Sequence, residues 1–328
     1  NDISKVMGVG YKASSGIHSG IITDINLATG CISDAIRLAE KQSNISIKDG
    51  LTVSISSSKI FTKRIKSSVA IKEKNISTIH IDQCLSSILN DNFFLNKKII
   101  NASPVNISID GAIGIKNPYG MYGDLLEIEF IVAYLSASHF KNYIECITRC
   151  DVDVNNLVIA SQAAGLSVLN EDELKMGSVV IDMGARTTSL GIFSDNKFIF
   201  SAVLDFGGSD VSEAIARKFS ITYGEAEKLK VMHSSVIESS SDHEIFFEIP
   251  SINFENTDDY IQISKRDIYE VVNPIMLEII SWIKTTLNNS GYEKLIGKVI
   301  VFTGGASQLD GLSVIAKDIL NYNSRIGV

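Results

Sequence analysis

The sequence contains few of the residues that usually bind metal ions or form disulfide bridges. It has four cysteines and five histidines among 328 residues. Cys146 and Cys150 are four residues apart in a helical pattern, but no histidine pair completes a zinc-binding set with them. The histidines also lack the spacing of a Ser/His/Asp site. We therefore expect reduced thiols in the protein core and a functional site built from other residues.

Long apolar runs and an excess of positive charge are absent as well. The chain has no run of about 18 apolar residues, so no membrane-spanning helix is predicted, and it shows no secretory signal peptide. Its 30 Lys and Arg residues are outnumbered by 38 Asp and Glu residues, which gives a net charge of −8. This charge argues against nucleic acid as a partner. With 45% hydrophobic residues, the chain is long and apolar enough to form a globular protein of two or more lobes.

The most informative stretch is SVVIDMGARTTSLGIF at 178–193. An apolar strand is predicted to reach Asp182, a turn to include Gly184, and a second strand to begin near Thr188. An aspartate beside exposed backbone N–H groups can hold the phosphates and the metal ion of a nucleotide. The same pattern is typical of an ordinary β-hairpin, so that alternative stays open.

A second glycine motif lies far downstream, at 298–312. A short apolar run at 299–302 is followed by Gly304 and Gly305, and a helical pattern resumes at Leu312. Glycines at a strand-to-helix junction let the backbone approach a ligand where a Cβ atom would collide. A purely structural turn is the alternative. Together the two motifs predict a ligand cleft at the carboxyl ends of two apolar strands.

The rest of the chain alternates strand and helix patterns, which favours an α/β fold. We predict strands at 3–10, 51–56, 59–72, 125–134 and 154–161, with two more within 98–115. We predict helices at 24–41, 80–90, 137–150, 162–168, 209–218, 265–290 and 312–320. Residues 234–259 are predicted to form an exposed hairpin loop. The predicted organisation is a first lobe at 1–57 and 124–177, an inserted α+β module at 58–123, and a second lobe at 178–328 with a subdomain at about 220–290.

Four segments, taken in order, resemble the actin-like ATPase superfamily: DMGART at 182–187, LDFGGS at 204–209, AEKLK at 226–230 and TGGASQL at 303–309. Within it, GIKNPYG at 114–120, FTGGASQLDG at 302–311 and the inserted module make the chain similar to the FtsA family of bacterial cell-division proteins. The resemblance covers nearly the whole chain, although each motif alone is weak. It implies an actin-like two-lobed α/β fold of duplicated ribonuclease-H-like domains, with the module in the first lobe.

The resemblance also implies a site for ATP and magnesium. Asp182 would hold the magnesium ion through water. The second phosphate loop would consist of Gly184, Ala185, Arg186 and Thr187, and the other nucleotide contacts would be Gly207 and Gly208 at the phosphates, Glu227 and Lys230 at the ribose, and Gly304, Gly305 and Gln308 at the adenine and ribose. A plain surface ion pair is the alternative for Glu227 and Lys230. No catalytic residue is assigned, and ATP would act mainly as a conformational ligand that is at most weakly hydrolysed.

The sequence departs from the family pattern in the phosphate loops. The second loop usually reads Gly-Gly-Gly, whereas this chain has Gly184, Ala185 and Arg186. Arg186 either pairs with phosphate oxygens or fills the pocket and weakens nucleotide binding. The family's first phosphate loop would precede Asn1, and its membrane-binding amphipathic helix would follow Val328. We therefore expect the natural protein to extend beyond both ends of this sequence.

The function implied by the resemblance is a cytoplasmic scaffold at the inner face of the cell membrane, at the division site. It would link FtsZ polymers to the inner membrane, assemble head to tail with copies of itself, and contact other division proteins through the inserted module. Membrane attachment would depend on the C-terminal helix. The FtsZ C-terminal tail would dock on residues 220–290, with Lys265 and Arg266 as candidate contacts to an acidic peptide. For these two residues, solvated charges at a helix start are the alternative.

Other members of the superfold remain alternatives. One is an actin-like assembly protein of type IV pili, which shares the inserted module. Another is a small-molecule kinase, which needs a catalytic base that we do not find in the first lobe. A chaperone ATPase would need a substrate-binding domain for which this length leaves no room.

Overall fold

A computed structural model describes residues 5–47, 50–72, 75–250 and 260–327. The chain separates into two compact units, Asn1–Ile159 and Ala160–Val328. None of the helices in the described part of the chain combines the length and the apolar composition that crossing a bilayer requires.

The first unit mixes short strands, long strands and helices. Its elements are β1 (Ile17–His18), β2 (Ile21–Ile22), α1 (Ile25–Ser43), β3 (Leu51–Ile55), β4 (Phe61–Ala70), α2 (Thr78–Leu89), β5 (Lys97–Ile109), β6 (Ala112–Ile113), β7 (Leu125–Ser136), α3 (Ala137–Thr148) and β8 (Val154–Ile159). Strands β3 and β8 pair in parallel. Helix α1 packs against α3 and begins at Asp24, whose Oδ1 accepts the N–H of Leu27 at 3.0 Å.

The inserted module is a four-stranded sheet in the order β4-β7-β5-β6. Helix α2 covers one face of this sheet. The module core is formed by side chains from the helix and the sheet: Ile71, Ile76, Cys84, Ile88, Phe94, Ile109, Leu126, Ile128, Phe130 and Val132. Strand β7 is antiparallel to both β4 and β5. The strand predicted at 125–134 therefore forms, but it is the centre of the module sheet and does not return to the first lobe. Its alternating buried side chains complete the module core.

The strand predicted at 3–10 is wrong over its described residues, because 5–10 have no regular structure. This segment lies along α1. A Cβ atom on Gly10 would lie 1.8 Å from the carbonyl oxygen of Ala35, and the Val9 N–H donates to Gln42 Oε1 at 2.5 Å. The glycines that interrupt the apolar residues here serve close backbone packing on a helix and not strand pairing.

The second unit is built around one five-stranded sheet. Its elements are α4 (Ala160–Val168), α5 (Glu171–Met176), β9 (Ser178–Met183), β10 (Thr188–Ser194), β11 (Lys197–Leu204), α6 (Gly208–Phe219), α7 (Tyr223–His233), β12 (Phe246–Pro250), β13 (Tyr260–Ser264), α8 (Lys265–Ser290), β14 (Val299–Thr303), α9 (Leu312–Leu320) and β15 (Asn323–Ile326). The sheet order is β11-β10-β9-β14-β15. The helices predicted for this unit are confirmed within one or two residues, because their apolar faces repeat with the helical period.

The two apolar strands that carry the glycine motifs lie side by side. Strand β14 pairs in parallel with β9, and Thr303 is in register with Asp182. The carboxyl ends of both strands therefore reach the same edge of the sheet. In the stretch predicted to be an exposed hairpin loop, β12 pairs with β13, and residues 251–259 lie outside the described part of the chain.

Candidate functional site

The turn between β9 and β10 is short and closed by backbone hydrogen bonds. The N–H of Gly184 donates to the carbonyl oxygen of Thr187 at 2.8 Å, and Thr188 pairs with Met183 at the base of the hairpin. The buried Thr188 hydroxyl donates to the carbonyl oxygen of Phe206 at 2.9 Å. The loop at 184–187 is thus fixed to the segment that precedes α6.

A second set of backbone contacts joins this loop to α6. The N–H groups of Gly208 and Ser209 donate to the carbonyl oxygens of Gly184 and Ala185, at 2.9 and 2.7 Å. A Cβ atom on Gly207 would lie 2.5 Å from the Gly184 oxygen. Glycine is required at position 207 because the two segments approach so closely.

Asp182 lies half-buried at the end of β9, next to the glycine turn after β14. Gly304 has a φ of +84°, and a Cβ atom there would lie 2.6 Å from Asp182 Oδ1 and 2.5 Å from the Met183 carbonyl oxygen. Burial raises the pKa of the Asp182 carboxyl above its ordinary value. A partly buried carboxylate of this kind is stabilised by a nearby cation.

Helix α7 contributes an ion pair with a buried lysine to the site. Lys230 Nζ lies 2.8 Å from Glu227 Oε2 and 2.9 Å from the carbonyl oxygen of Gly208. The Lys230 side chain is 9% exposed and the Glu227 side chain 39%, so the pair is buried at its lysine and partly open to solvent at its glutamate. Burial opposes ionisation of Glu227, but hydrogen bonds from Lys230 and Ser212 hold its pKa below the ordinary value.

A pocket of about 160 Å³ lies between the end of α7 and the turn after β14. Lys230, Gly305 and Gln308 line it. Val231 and Met232 also line it, with exposed fractions of 71% and 69%. Exposed apolar side chains at a pocket wall suit the flat face of an aromatic base.

Arg186 does not extend freely from its loop. Its guanidinium donates to Asp210 Oδ1 at 3.2 Å and to Glu213 Oε1, both on α6. Asp210 Oδ2 also accepts the N–H of Gly207 at 2.8 Å. Arg186 of the predicted phosphate loop therefore forms ion pairs with two carboxylates of α6.

Lys265 and Arg266 lie at the start of α8 and contact acidic side chains of this chain. Lys265 Nζ is 3.1 Å from Asp242 Oδ1, and Asp242 is almost fully buried. Arg266 Nε is 3.2 Å from Glu270 Oε1 and 3.7 Å from Glu238 Oε1. Their contacts show a structural role for Lys265 and leave the more exposed Arg266 as the better candidate for a partner contact.

The structure thus brings most of the predicted nucleotide residues together within the second unit. Gly304 contacts Asp182. A second set of direct contacts joins Gly184, Ala185, Gly207, Gly208, Lys230 and Glu227, and Gly305 and Gln308 share the pocket with Lys230. Sequence reasoning missed Asp210, Ser212, Glu213, Val231 and Met232. Asp210 had a detectable signal, because an acidic residue in the first turn of a predicted helix is favoured by the helix dipole and its free N–H groups.

The donor set fits a nucleotide with magnesium better than an ion held by protein alone. No group of three or more His, Cys, Asp or Glu side chains that could hold a metal ion occurs among the described residues. Magnesium commonly takes one or two carboxylates, with water and phosphate oxygens as its other ligands. Asp182 would supply such a carboxylate. Gly207 and Gly208 would border the phosphates by leaving room for them, since the N–H groups of Gly184, Gly207 and Gly208 already donate within the protein.

Two protein-family models match this chain. The family model described as Cell division protein FtsA matches residues 179–328, and the model for the SHS2 domain inserted in FTSA matches residues 57–134. The Cell division protein FtsA of Agrobacterium fabrum (strain C58 / ATCC 33970) is 30% identical over 323 residues, which cover 98% of this chain and 73% of that protein.

Solved structures share the fold at lower sequence identity. The PilM-PilN type IV pilus biogenesis complex matches with a TM-score of 0.64 and 17% identity, over 96% of this chain and 78% of the matched chain. MreB5 of Spiroplasma citri bound to ADP matches with a TM-score of 0.51 and 17% identity, over 59% of this chain and 61% of the matched chain. These neighbours confirm the predicted actin-like two-lobed α/β fold. The relative that is 30% identical over nearly the whole chain, with the two family models, shows that the chain belongs to the FtsA family of cell division proteins.

Proposed function

We propose that the protein is an actin-like ATP-binding scaffold of the bacterial division ring. The observation that carries this proposal is the convergence of the loop at 184–187, the start of α6, buried Lys230 and the pocket beside Gly305 around the carboxyl ends of β9 and β14. Ligands of open α/β sheets bind at this end of the strands. MreB5, a neighbour in fold, was solved bound to ADP.

Each part of the site has a distinct role in this proposal. Asp182 holds magnesium through water, and the loop at 184–187 with Gly207 and Gly208 borders the phosphates, where the glycines leave room for them. Glu227 and Lys230 contact the ribose. The base occupies the pocket against Val231 and Met232. Bound magnesium would neutralise phosphate charge, and ATP would favour one conformation of the protein over another.

Nucleotide binding is tested by titrating the full-length protein with ATP and magnesium and following thermal unfolding. A ligand that binds the folded state stabilises it by about 2.7 kcal/mol at one hundred times its Kd, which raises the melting temperature. The same titration without magnesium should give a smaller shift. An unchanged melting temperature at millimolar ATP would remove ATP from the proposed function and leave the scaffold role to be tested separately.

The scaffold role concerns FtsZ and the inner membrane. We propose that the full-length protein lies in the cytoplasm at the inner face of the membrane, tethers FtsZ polymers there through a C-terminal membrane helix, and assembles head to tail. Family membership supports this proposal. The inserted module would contact other division proteins. A fluorescent fusion of the full-length protein should form a band at the division site, and a uniform distribution along the cell would contradict the proposal.

Docking of the FtsZ tail is proposed on the subdomain that contains α7 and α8. Arg266→Glu tests this better than Lys265→Glu, because Lys265 pairs with the buried Asp242 and its reversal would also disturb folding. We expect Arg266→Glu to weaken binding of an acidic FtsZ tail peptide, with a stronger effect at low salt. Lys284→Glu, an exposed reversal on the same helix, is the matched control. Equal affinity of the two variants would remove Arg266 from the docking surface.

The pilus alternative has less support. The likeness to the PilM-PilN complex extends over the whole fold but at 17% identity, so it speaks for the fold alone. The FtsA relative is 30% identical over nearly the whole chain. We therefore retain the division-ring scaffold as the single proposed function.

A further inference from the structure

The side chain of Arg186 links the loop at 184–187 to α6 through ion pairs. Its two terminal nitrogens donate to two different carboxylates, Asp210 at 3.2 Å and Glu213. The arginine side chain is 34% exposed and the two carboxylate side chains are 22% and 30% exposed. Hydrogen bonds between ionised groups that are partly shielded from water are stronger than neutral ones.

The two carboxylates are themselves held in place. Asp210 uses its other oxygen to accept the N–H of Gly207 at 2.8 Å, at the start of the helix. Glu213 uses its other oxygen to accept from Arg217 at 3.2 Å, one turn further along. Arg186 therefore binds a prearranged acidic pair rather than two mobile side chains, so less side-chain entropy is lost when the contact forms.

The backbone of the loop contacts the same helix as the Arg186 side chain. The carbonyl oxygens of Gly184 and Ala185 accept from the first N–H groups of α6. The side chain of the next residue, Arg186, then reaches the first and second turns of the same helix. Backbone and side chain together attach consecutive loop residues to one rigid element.

We propose that Arg186 is a positioning residue that clamps the loop at 184–187 to α6 before any ligand binds. The clamp itself follows from the contacts of Arg186, whereas its benefit for ATP rests on the proposed function. A loop that is already ordered loses less conformational entropy when it receives a phosphate group. If Arg186 instead occupied the position of the phosphates, it would oppose nucleotide binding. Removing its charge should therefore weaken ATP binding if Arg186 positions the loop, and strengthen it if Arg186 blocks the site.

The clamp is tested first without nucleotide, by hydrogen exchange of the full-length protein. Arg186→Met keeps the length of the apolar stem and removes both ion pairs. We expect exchange of the amides at 184–187 and 207–209 to accelerate about tenfold. Lys228→Met is the matched control, because Lys228 lies on α7, is 66% exposed and pairs with Glu225 rather than with a carboxylate that Arg186 binds; it should leave these amides within about twofold of the wild type. Unchanged exchange in Arg186→Met would overturn the clamp.

Nucleotide affinity gives the second readout. With ATP and magnesium, Arg186→Met should raise the Kd about tenfold, and Arg186→Lys, which lacks the two-pronged geometry, should fall between this variant and the wild type. Tighter binding by Arg186→Met would overturn the positioning role and assign the arginine to occlusion of the site. If the wild type binds no ATP while exchange still accelerates in Arg186→Met, the clamp stands and the ATP-binding proposal fails.

Discussion

The ammonium group of Lys230 lies 2.9 Å from the carbonyl oxygen of Gly208. This contact joins the helix proposed to hold the ribose to the turn proposed to border the phosphates. Because Lys230 is 9% exposed, its removal takes a buried charged donor away from the Gly208 oxygen and the Glu227 carboxylate, and leaves the Ser212 hydroxyl as a neutral donor to both. We expect Lys230→Met to lower the free energy of unfolding by about 1–3 kcal/mol and to weaken ATP binding. Chemical denaturation and a nucleotide titration measure the two effects.

Lys228 provides the control for this experiment. It lies on the same helix and pairs with Glu225 at 2.7 Å, but its side chain is 66% exposed. Lys228→Met should change the free energy of unfolding by less than about 0.5 kcal/mol, because exposed pairs contribute little. Equal losses in both variants would mean that burial of Lys230 does not determine its contribution.

The position of the site at the carboxyl ends of β9 and β14 could be predicted from the sequence, because the patterns that indicate it are local. An apolar strand that ends in Asp182, and a second that runs into Gly304 and Gly305, show the buried-strand and turn patterns within a few residues. Helix periodicity likewise places α6 and α8. The pattern of strand, glycine turn and strand at 178–193 also allowed a β-hairpin, and β9 and β10 do pair directly.

The features that sequence reasoning missed depend on distant contacts. The spacing of Glu227 and Lys230 does not show how exposed each side chain is. The contact that helps to bury Lys230 is made with the Gly208 oxygen, 22 residues away in the sequence. Strand β7 has the same local pattern whichever sheet it joins, and its pairing with β4 and β5 assigns it to the module. From the sequence, Arg186 could either pair with phosphate oxygens or fill the pocket. The sequence did not show its actual partners, because Asp210 and Glu213 lie 24 and 27 residues away.

The glycine at position 304 should be essential for folding of the site. Its φ of +84° is strained for any other residue, and a Cβ atom would overlap Asp182 Oδ1 and the Met183 carbonyl oxygen. We expect Gly304→Ala to lower the free energy of unfolding by about 1–3 kcal/mol and to abolish ATP binding. Denaturant unfolding and calorimetric titration measure the two effects. A fully stable Gly304→Ala variant would contradict the close contact.

Substitution of the adjacent Gly305 tests ligand binding without an expected effect on folding. A Cβ atom on Gly305 meets nothing within 4 Å, and Gly305 does not have a positive φ. Gly305→Ala should therefore fold with nearly wild-type stability. If adenine or ribose lies on this backbone, the added methyl group should still weaken ATP binding about tenfold or more. Wild-type affinity of Gly305→Ala would place the nucleotide elsewhere in the pocket.

Asp182 should oppose stability while it supports ligand binding. Because burial raises its pKa, the folded state binds a proton more readily than the unfolded state. Between the unfolded pKa and the higher folded pKa, stability of the nucleotide-free protein should therefore fall as pH rises. Asp182→Asn should remove this dependence and leave stability at neutral pH equal to or above that of the wild type. The same variant should lose the magnesium-dependent part of ATP binding, measured by titration with and without the metal.

Arg325 and Glu173 should give the opposite pH dependence. Arg325 donates to both oxygens of Glu173, at 2.8 and 2.6 Å, and to the carbonyl oxygen of Val168 at 2.7 Å. These contacts tie β15 to the segment before β9.

The hydrogen bonds from Arg325 hold the pKa of Glu173 below its ordinary value. The resulting stabilisation is present above the unfolded pKa of Glu173 and is lost as pH falls through the folded pKa. Arg325→Met should lower the free energy of unfolding at neutral pH by about 1–2 kcal/mol and flatten its fall in acid, as measured by denaturant unfolding across a pH series. Arg37→Met is the control, since Arg37 is 76% exposed and pairs with Asp34 one turn away on the same helix, and it should change stability by less than about 0.5 kcal/mol. An acid transition that is identical in Arg325→Met and the wild type would show that Glu173 is stabilised by groups other than Arg325.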